Sequence, residues 1–296
     1  MVLALQMATP LLLGLVQGAG VGLVAIGLVL IYKSSRVFNF VAGEFATVGA
    51  FATYVTRSFM PFPLAALCGV VAGLVVGVLT ERFVVRPLDN RPKVTVLVAT
   101  AALAISLIAV EFIADVHEKR IFPARALWRG NAVKLFGVII SNQRVLIILA
   151  LAAAGGALAY FFARTDLGLA TQAASQEQTA SRLMGIRPNR IAMMVWGTAG
   201  ALGGLAGVLL PPLSGNFNPA YGTTDLLIPA FTAAVLGGMT SVPGAFAGGL
   251  LLGIVQNMAQ FNISSDKLPG APAVFVLVVL VGVLVVRPAG LLGKEA

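Results

Sequence analysis

The chain has 296 residues, of which 58% are hydrophobic and 10% charged, with a net charge of +9 and a mean hydropathy of +0.96. Soluble domains carry about a quarter charged residues, so this composition excludes an ordinary water-soluble enzyme and points to a chain crossing a bilayer several times at about 20 apolar residues per crossing. One cysteine (Cys68) and one histidine (His117) exclude a disulfide framework and a Cys/His metal cluster. The positive charge lies between apolar runs, so it reads as a topology signal and a contact with anionic lipid rather than with nucleic acid.

Nine apolar segments follow one another. The first, about 9–32, carries Gly14, Gly18 and Gly22, a ladder that lets another helix approach closely. The second, 37–56, contains RVFNFVAGEFATVGAF and is interrupted by polar residues. The third and fourth cover 62–80 and 94–114. A polar stretch of about 115–144 follows and reads as an external cap, its FGVII a short strand or a re-entrant piece. The fifth segment is 144–163.

The stretch of about 164–190 is polar but places Ala170, Ala173, Ala174, Ala180, Leu183 and Met184 at helical spacing, with Gly185 as a C-cap and Pro188 beyond it. It predicts one or two amphipathic helices facing a partner. Segment six is 190–210. Segments seven and eight, 226–240 and 244–262, form one charge-free run split by the turn signal SVPG at Ser241–Gly244. Segment nine is 270–286. Segments two, seven and eight are short or Gly-interrupted, so their crossing is left open. The expected fold is all-α and polytopic, with about eight or nine transmembrane or partly spanning helices in a single domain over 1–296.

Most Lys and Arg fall on one side if the N-terminus is outside and the C-terminus cytoplasmic, a multi-pass arrangement. The inner loops then hold Lys33 and Arg36, Arg82 to Lys93, Arg164 to Arg190, and Arg287 with Lys294. The N-terminus also lacks the basic region of a cleavable signal peptide.

The second segment raises the sharpest chemical question, because Glu44 sits in an apolar run. On a helical wheel Asn39 and Glu44 lie about 140° apart, with Gly43, Thr47 and Ala50 between or near them. An ionisable residue at membrane depth faces the bundle interior or a watery cavity and has a partner. Three readings stand: Glu44 lines a path and meets a substrate ammonium, braces the structure by hydrogen bonding or by pairing with a base such as Arg36, or lies shallow near water.

No GxxxxGK[ST], HExxH or GxSxG occurs. Clustered acid, base and nucleophile are missing, so the chain does not read as an enzyme. Segments six to nine lack charge, so a route through them would be lined by small and apolar residues and would bind weakly.

Several stretches together resemble the LivH-type permease subunits of branched-chain amino acid ABC importers. RVFNFVAGEFATVGAF resembles that family's early signature through Asn39, Phe40, Gly43 and Glu44. FTAAVLGGMTSVPGAFAGGLLLGIVQ is similar to its most recognisable block, ASRLMGI to its cytoplasmic coupling segment, and RPAGLLG to its tail. This chain differs in carrying Ala42 where a His is common, and Gln172 where a basic residue often opens the coupling segment.

The resemblance implies a transport subunit that binds no cofactor itself. A homologous second permease subunit, two cytoplasmic ATP-binding subunits that hold ATP-Mg, and an external substrate-binding protein would complete it. It implies coupling to the ATPase through Ala173, Ala174, Glu177, Ala180, Leu183 and Gly185, and a path or brace at Asn39, Gly43, Glu44 and Thr47. Urea or short amides are the alternative solutes; a secondary transporter or channel is the alternative machine.

Overall fold

A helix that is apolar on every side belongs inside a bundle, and α1 (Val2–Ser35) is buried along most of Thr9–Ser35. The structure is a computed structural model and describes residues 2–114, 121–126, 130–135, 138–166, 168–169, 171, 184, 187–262, 271–287 and 290–292. Around α1 come α2 (Ala42–Thr56), α3 (Phe62–Thr80), α4 (Lys93–Ala114), α5 (Asn142–Arg164), α6 (Pro188–Leu209), α7 (Ile228–Gly237), α8 (Val242–Asn262) and α9 (Ala271–Val286). The described chain is an all-α polytopic membrane protein.

Six of the described helices are long and apolar enough to cross a membrane: α1, α3, α4, α5, α6 and α8. The apolar stretches 222–237 and 274–286 are shorter. With 15 residues, α2 is about 22 Å long, less than the roughly 30 Å hydrocarbon core. The expected segments thus recur as helices, with three adjustments. Segment two becomes helical at Ala42, because residues 37–39 are not helical and precede it. The third segment does not stop at Thr80 but runs on as a π-helical turn, Glu81–Val85, and a 3₁₀ turn, Arg86–Leu88. Part of FGVII is strand: β2 (Asn131–Leu135) pairs antiparallel with β3 (Val138–Ser141).

Small residues set the packing. A methyl group on Gly14 would fall 2.6 Å from the Ile254 Cα, and one on Gly18 would fall 2.5 Å from the Gly249 carbonyl oxygen, so α1 and α8 touch backbone to backbone. The same holds between α3 and α6, where Gly69, Gly73 and Gly77 meet Gly204, Gly200 and the Trp196 carbonyl. Gly73→Leu is therefore expected to cost about 1–3 kcal/mol and to lower the melting temperature of the solubilised protein. Gly282→Leu on α9, where a side chain meets open space, is the matched control and should leave the melting temperature unchanged.

The α7–α8 hairpin turns at Gly238, whose φ is +95°, and the Ser241 hydroxyl accepts the Gly244 N–H at 3.1 Å to cap α8. The tail motif docks here: the Leu291 N–H donates to the Leu236 carbonyl at 2.8 Å, and the Leu292 N–H to that of Gly237 at 3.2 Å. RPAGLLG thus satisfies carbonyls that the end of α7 leaves open.

The bundle has two distinct ends. At one, Ser35 of α1, Arg86, Thr171 and Asn189 line a common cleft. At the other, β1 (Phe122–Pro123) pairs with β4 (Asn216–Phe217); Phe122 stacks on Phe217, and Phe51 and Tyr54 meet both rings edge-on, with centroids 4.7–6.2 Å apart.

Candidate functional site

The candidate site forms where the chain re-enters the bundle after α1. Arg36 takes a left-handed turn with φ +55°. Phe38 then stacks on Tyr32 with centroids 5.1 Å apart and meets the Phe231 ring edge-on. Asn39 is buried, and its Oδ1 accepts the Val41 N–H at 2.9 Å, closing the turn from which α2 starts. Because Asn39 precedes the helix, its relation to Glu44 is not the wheel angle expected from a helix beginning at 37.

On the first two turns of α2, Gly43 and Thr47 meet the backbone at Gly222. A methyl on Gly43 would lie 2.7 Å from the Gly222 carbonyl oxygen, and the Thr47 hydroxyl accepts the Gly222 N–H at 2.9 Å. Gly222 opens a π-helical stretch, Gly222–Leu227, that leads into α7. Such π turns sit inside helices where one backbone bond is displaced, and here α2 is what they pack against.

Glu44 is fully buried (0% exposed), and neither carboxyl oxygen has a hydrogen-bond donor among the described residues. It lies in the first turn of α2, where a negative group suits the helix dipole. Arg36 does not pair with it: the ion pair seen among the described residues is Arg86–Glu81. Its ionisable neighbour is a second buried carboxyl, Glu111 of α4. Glu111 accepts the Ala220 N–H through Oε2 at 2.9 Å, and its Oε1 has no partner among the described residues. Ala220 is itself held at φ +65°, a conformation few non-glycine residues adopt.

Side chains from α2 and α4 thus hold N–H groups two residues apart: Glu111 at Ala220 and Thr47 at Gly222. The geometry is a packed junction, and neither end cleft is lined by Glu44 or Glu111.

Of the sequence-derived candidates, the structure brings Gly43, Glu44 and Thr47 together on this junction and leaves Asn39 in the turn before it. Glu111 was missed, although the signal was present: a single carboxylate inside the apolar 22-residue α4 stands out by the reasoning that singled out Glu44. The six coupling candidates, Ala173, Ala174, Glu177, Ala180, Leu183 and Gly185, lie outside the described residues. No group of three or more metal-ligating side chains occurs among the described residues.

Comparison with known proteins places these features. Residues 11–286 match the family described as "Branched-chain amino acid transport system / permease component". The chain is 31% identical over 295 residues to the high-affinity branched-chain amino acid transport system permease protein BraD of Pseudomonas aeruginosa, covering 95% of this chain and 94% of that one. With the same coverage it is 28% identical to the permease protein LivH of Escherichia coli. It is also 28% identical to a probable branched-chain amino acid transport permease protein LivH of Methanocaldococcus jannaschii, over 92% of this chain and 88% of that one. Taken with the apolar helices and the collinear motifs, the match over nearly the full length makes this chain a member of the branched-chain amino acid transport system permease component family.

Proposed function

We propose that this chain is the membrane-spanning subunit of an ATP-driven importer for branched-chain amino acids. The observation that carries the reading is the family match over residues 11–286. The absence of a phosphate-binding GxxxxGK[ST] from the sequence supports an energy source on other chains. In this reading a homologous second permease subunit completes the path, two ATP-binding subunits hold ATP-Mg, and an external binding protein delivers the solute. The chain sits in a bacterial inner membrane with its N-terminus outside and its C-terminus cytoplasmic. The cleft end carrying Arg86, Thr171 and Asn189 then faces the ATPases, and stretch 164–190 docks on them.

Within this machine Asn39, Gly43, Glu44 and Thr47, joined by Glu111, brace the junction between α2 and the start of α7. Discontinuous helices inside transporters are places where small shifts reorient a path, and a clamped backbone at Ala220–Gly222 defines one such place.

The test is uptake of labelled leucine into proteoliposomes holding the complete complex, trapped ATP and the binding protein, with unlabelled competitors outside. Valine and isoleucine are expected to suppress uptake, and urea and acetamide to leave it unchanged. Suppression by the amides alone would move the assignment to short amides.

A further inference from the structure

A second polar junction lies at the opposite end from the aromatic cluster, where charge is again taken out of water. Glu81, on the π-helical turn that extends α3, is 2% exposed. Arg86 embraces it in a two-pronged pair, Nε to Oε1 at 3.1 Å and Nη2 to Oε2 at 2.8 Å. The same Nη2 also donates to the carbonyl of Asn189 at 3.2 Å. Asn189 is the second residue of α6 and lies at the far end of stretch 164–190.

The other side of that stretch comes to the same cleft. Thr165 follows α5 and its hydroxyl accepts the Gly168 N–H at 3.0 Å, while Thr171, buried, lines the cleft with Glu81 and Arg86. Thr171 and Asn189, from either side of the stretch, therefore line one cleft with this ion pair, and Asn189 is bonded to it.

What the ion pair is attached to matters equally. Gly73 and Gly77 of α3 lie against Gly200 and the Trp196 carbonyl of α6 with no room for a methyl group. Two helices in backbone contact move as a unit, since packed interfaces shift between discrete arrangements rather than deform smoothly. A guanidinium–carboxylate fork on a buried carboxylate is directional and stiff. It fastens the start of α6, where the stretch returns, to the extended end of α3.

Resting on the reading of the chain as an ATP-driven permease, we propose that Glu81 and Arg86 are positioning residues for coupling: the joint through which stretch 164–190 moves the α3–α6 body. A lysine at 86 would still neutralise Glu81, but a point charge cannot hold both the carboxylate and the Asn189 carbonyl in the same fork.

The experiment measures ATP hydrolysis and leucine uptake on the same proteoliposomes, made with the complete complex. Its variants are R86K, R86Q and the double variant E81Q/R86Q, which removes both charges and so leaves no buried carboxylate unpaired. Expected is a complex that assembles and hydrolyses ATP within about twofold of the unsubstituted one, while uptake per ATP falls about tenfold in E81Q/R86Q and less in R86K. Unchanged uptake per ATP in E81Q/R86Q would overturn the proposal. So would failure of both R86K and E81Q/R86Q to assemble, which would make the pair a folding element. If the unsubstituted complex itself shows no ATP-driven uptake, the functional reading falls, and that result is seen before any variant is made.

Discussion

Glu111→Leu is expected to strip the assembled protein from the membrane, while Glu111→Gln is expected to leave it in place. Leucine removes the acceptor of the Ala220 N–H, and an unpaired buried amide costs about 1–3 kcal/mol. It also leaves Glu44, fully buried and without a donor among the described residues, with no polar neighbour on that side. Together these losses take a sizeable part of a typical folding margin of about 5–15 kcal/mol, enough to reduce the folded fraction steeply. Glutamine keeps an acceptor for Ala220 and offers its amide N–H to Glu44. Glu44→Gln is expected to be tolerated as well, since the amide keeps the shape of the carboxyl and its N–H can donate to the open Oε1 of Glu111. Immunoblots of membrane fractions and melting of the solubilised complex check both. A Glu44→Gln complex that assembles normally but has lost all uptake would instead make Glu44 a charged contact for the solute's ammonium.

The second large effect is expected at the backbone crossing of α2 with the start of α7. Gly43→Leu must push aside the Gly222 carbonyl, which lies 2.7 Å from where the first side-chain carbon would sit. Backbone cannot yield as a flexible side chain can, so overpacking here costs about 1–3 kcal/mol and pulls the Gly222 N–H from the Thr47 hydroxyl. Both losses fall on the π-helical stretch that opens α7. Uptake is expected to drop at least roughly tenfold with the melting temperature lowered. Thr47→Val, which removes the hydroxyl but not the close approach, is expected to have a smaller effect in the same direction. A Gly43→Leu complex with full uptake would show that α2 and this stretch need not touch.

Much of this architecture was legible because membrane helices carry a strong signal: apolar runs of crossing length. Gly14, Gly18 and Gly22 foretold a close helix contact, and the structure supplies it from Gly249 and Gly253. Gly77 could not reveal that its neighbour would be the Trp196 carbonyl, since a small residue announces a close approach but not what approaches.

Other features lay beyond periodicity. The delayed start of α2 follows from the Asn39 turn and the left-handed Arg36, which local side-chain chemistry permits but does not demand. The extension of α3 to Leu88 crosses Glu81, Arg82 and Arg86, charges that end an apolar run without ending a helix. Glu44 was visible as an anomaly, whereas its neighbour Glu111 is 67 residues away in sequence, and the Ala220 turn that joins them to α7 has no marker glycine. The pairing of Glu81 with Arg86 was equally hidden, since five residues is not the spacing of neighbours on a regular α-helix; the π turn between them brings the two together.

The claim that this chain is one part of an ATP-driven permease, rather than a self-sufficient carrier, is tested most directly by leucine uptake with every ion gradient collapsed. Proteoliposomes carrying the complete complex and the binding protein would be loaded with ATP and treated with a protonophore and cation ionophores. The account predicts accumulation at the untreated rate, and none when ATP or the ATP-binding subunits are left out. Accumulation that stops when the gradients collapse, or that proceeds from this chain alone without ATP, would contradict it.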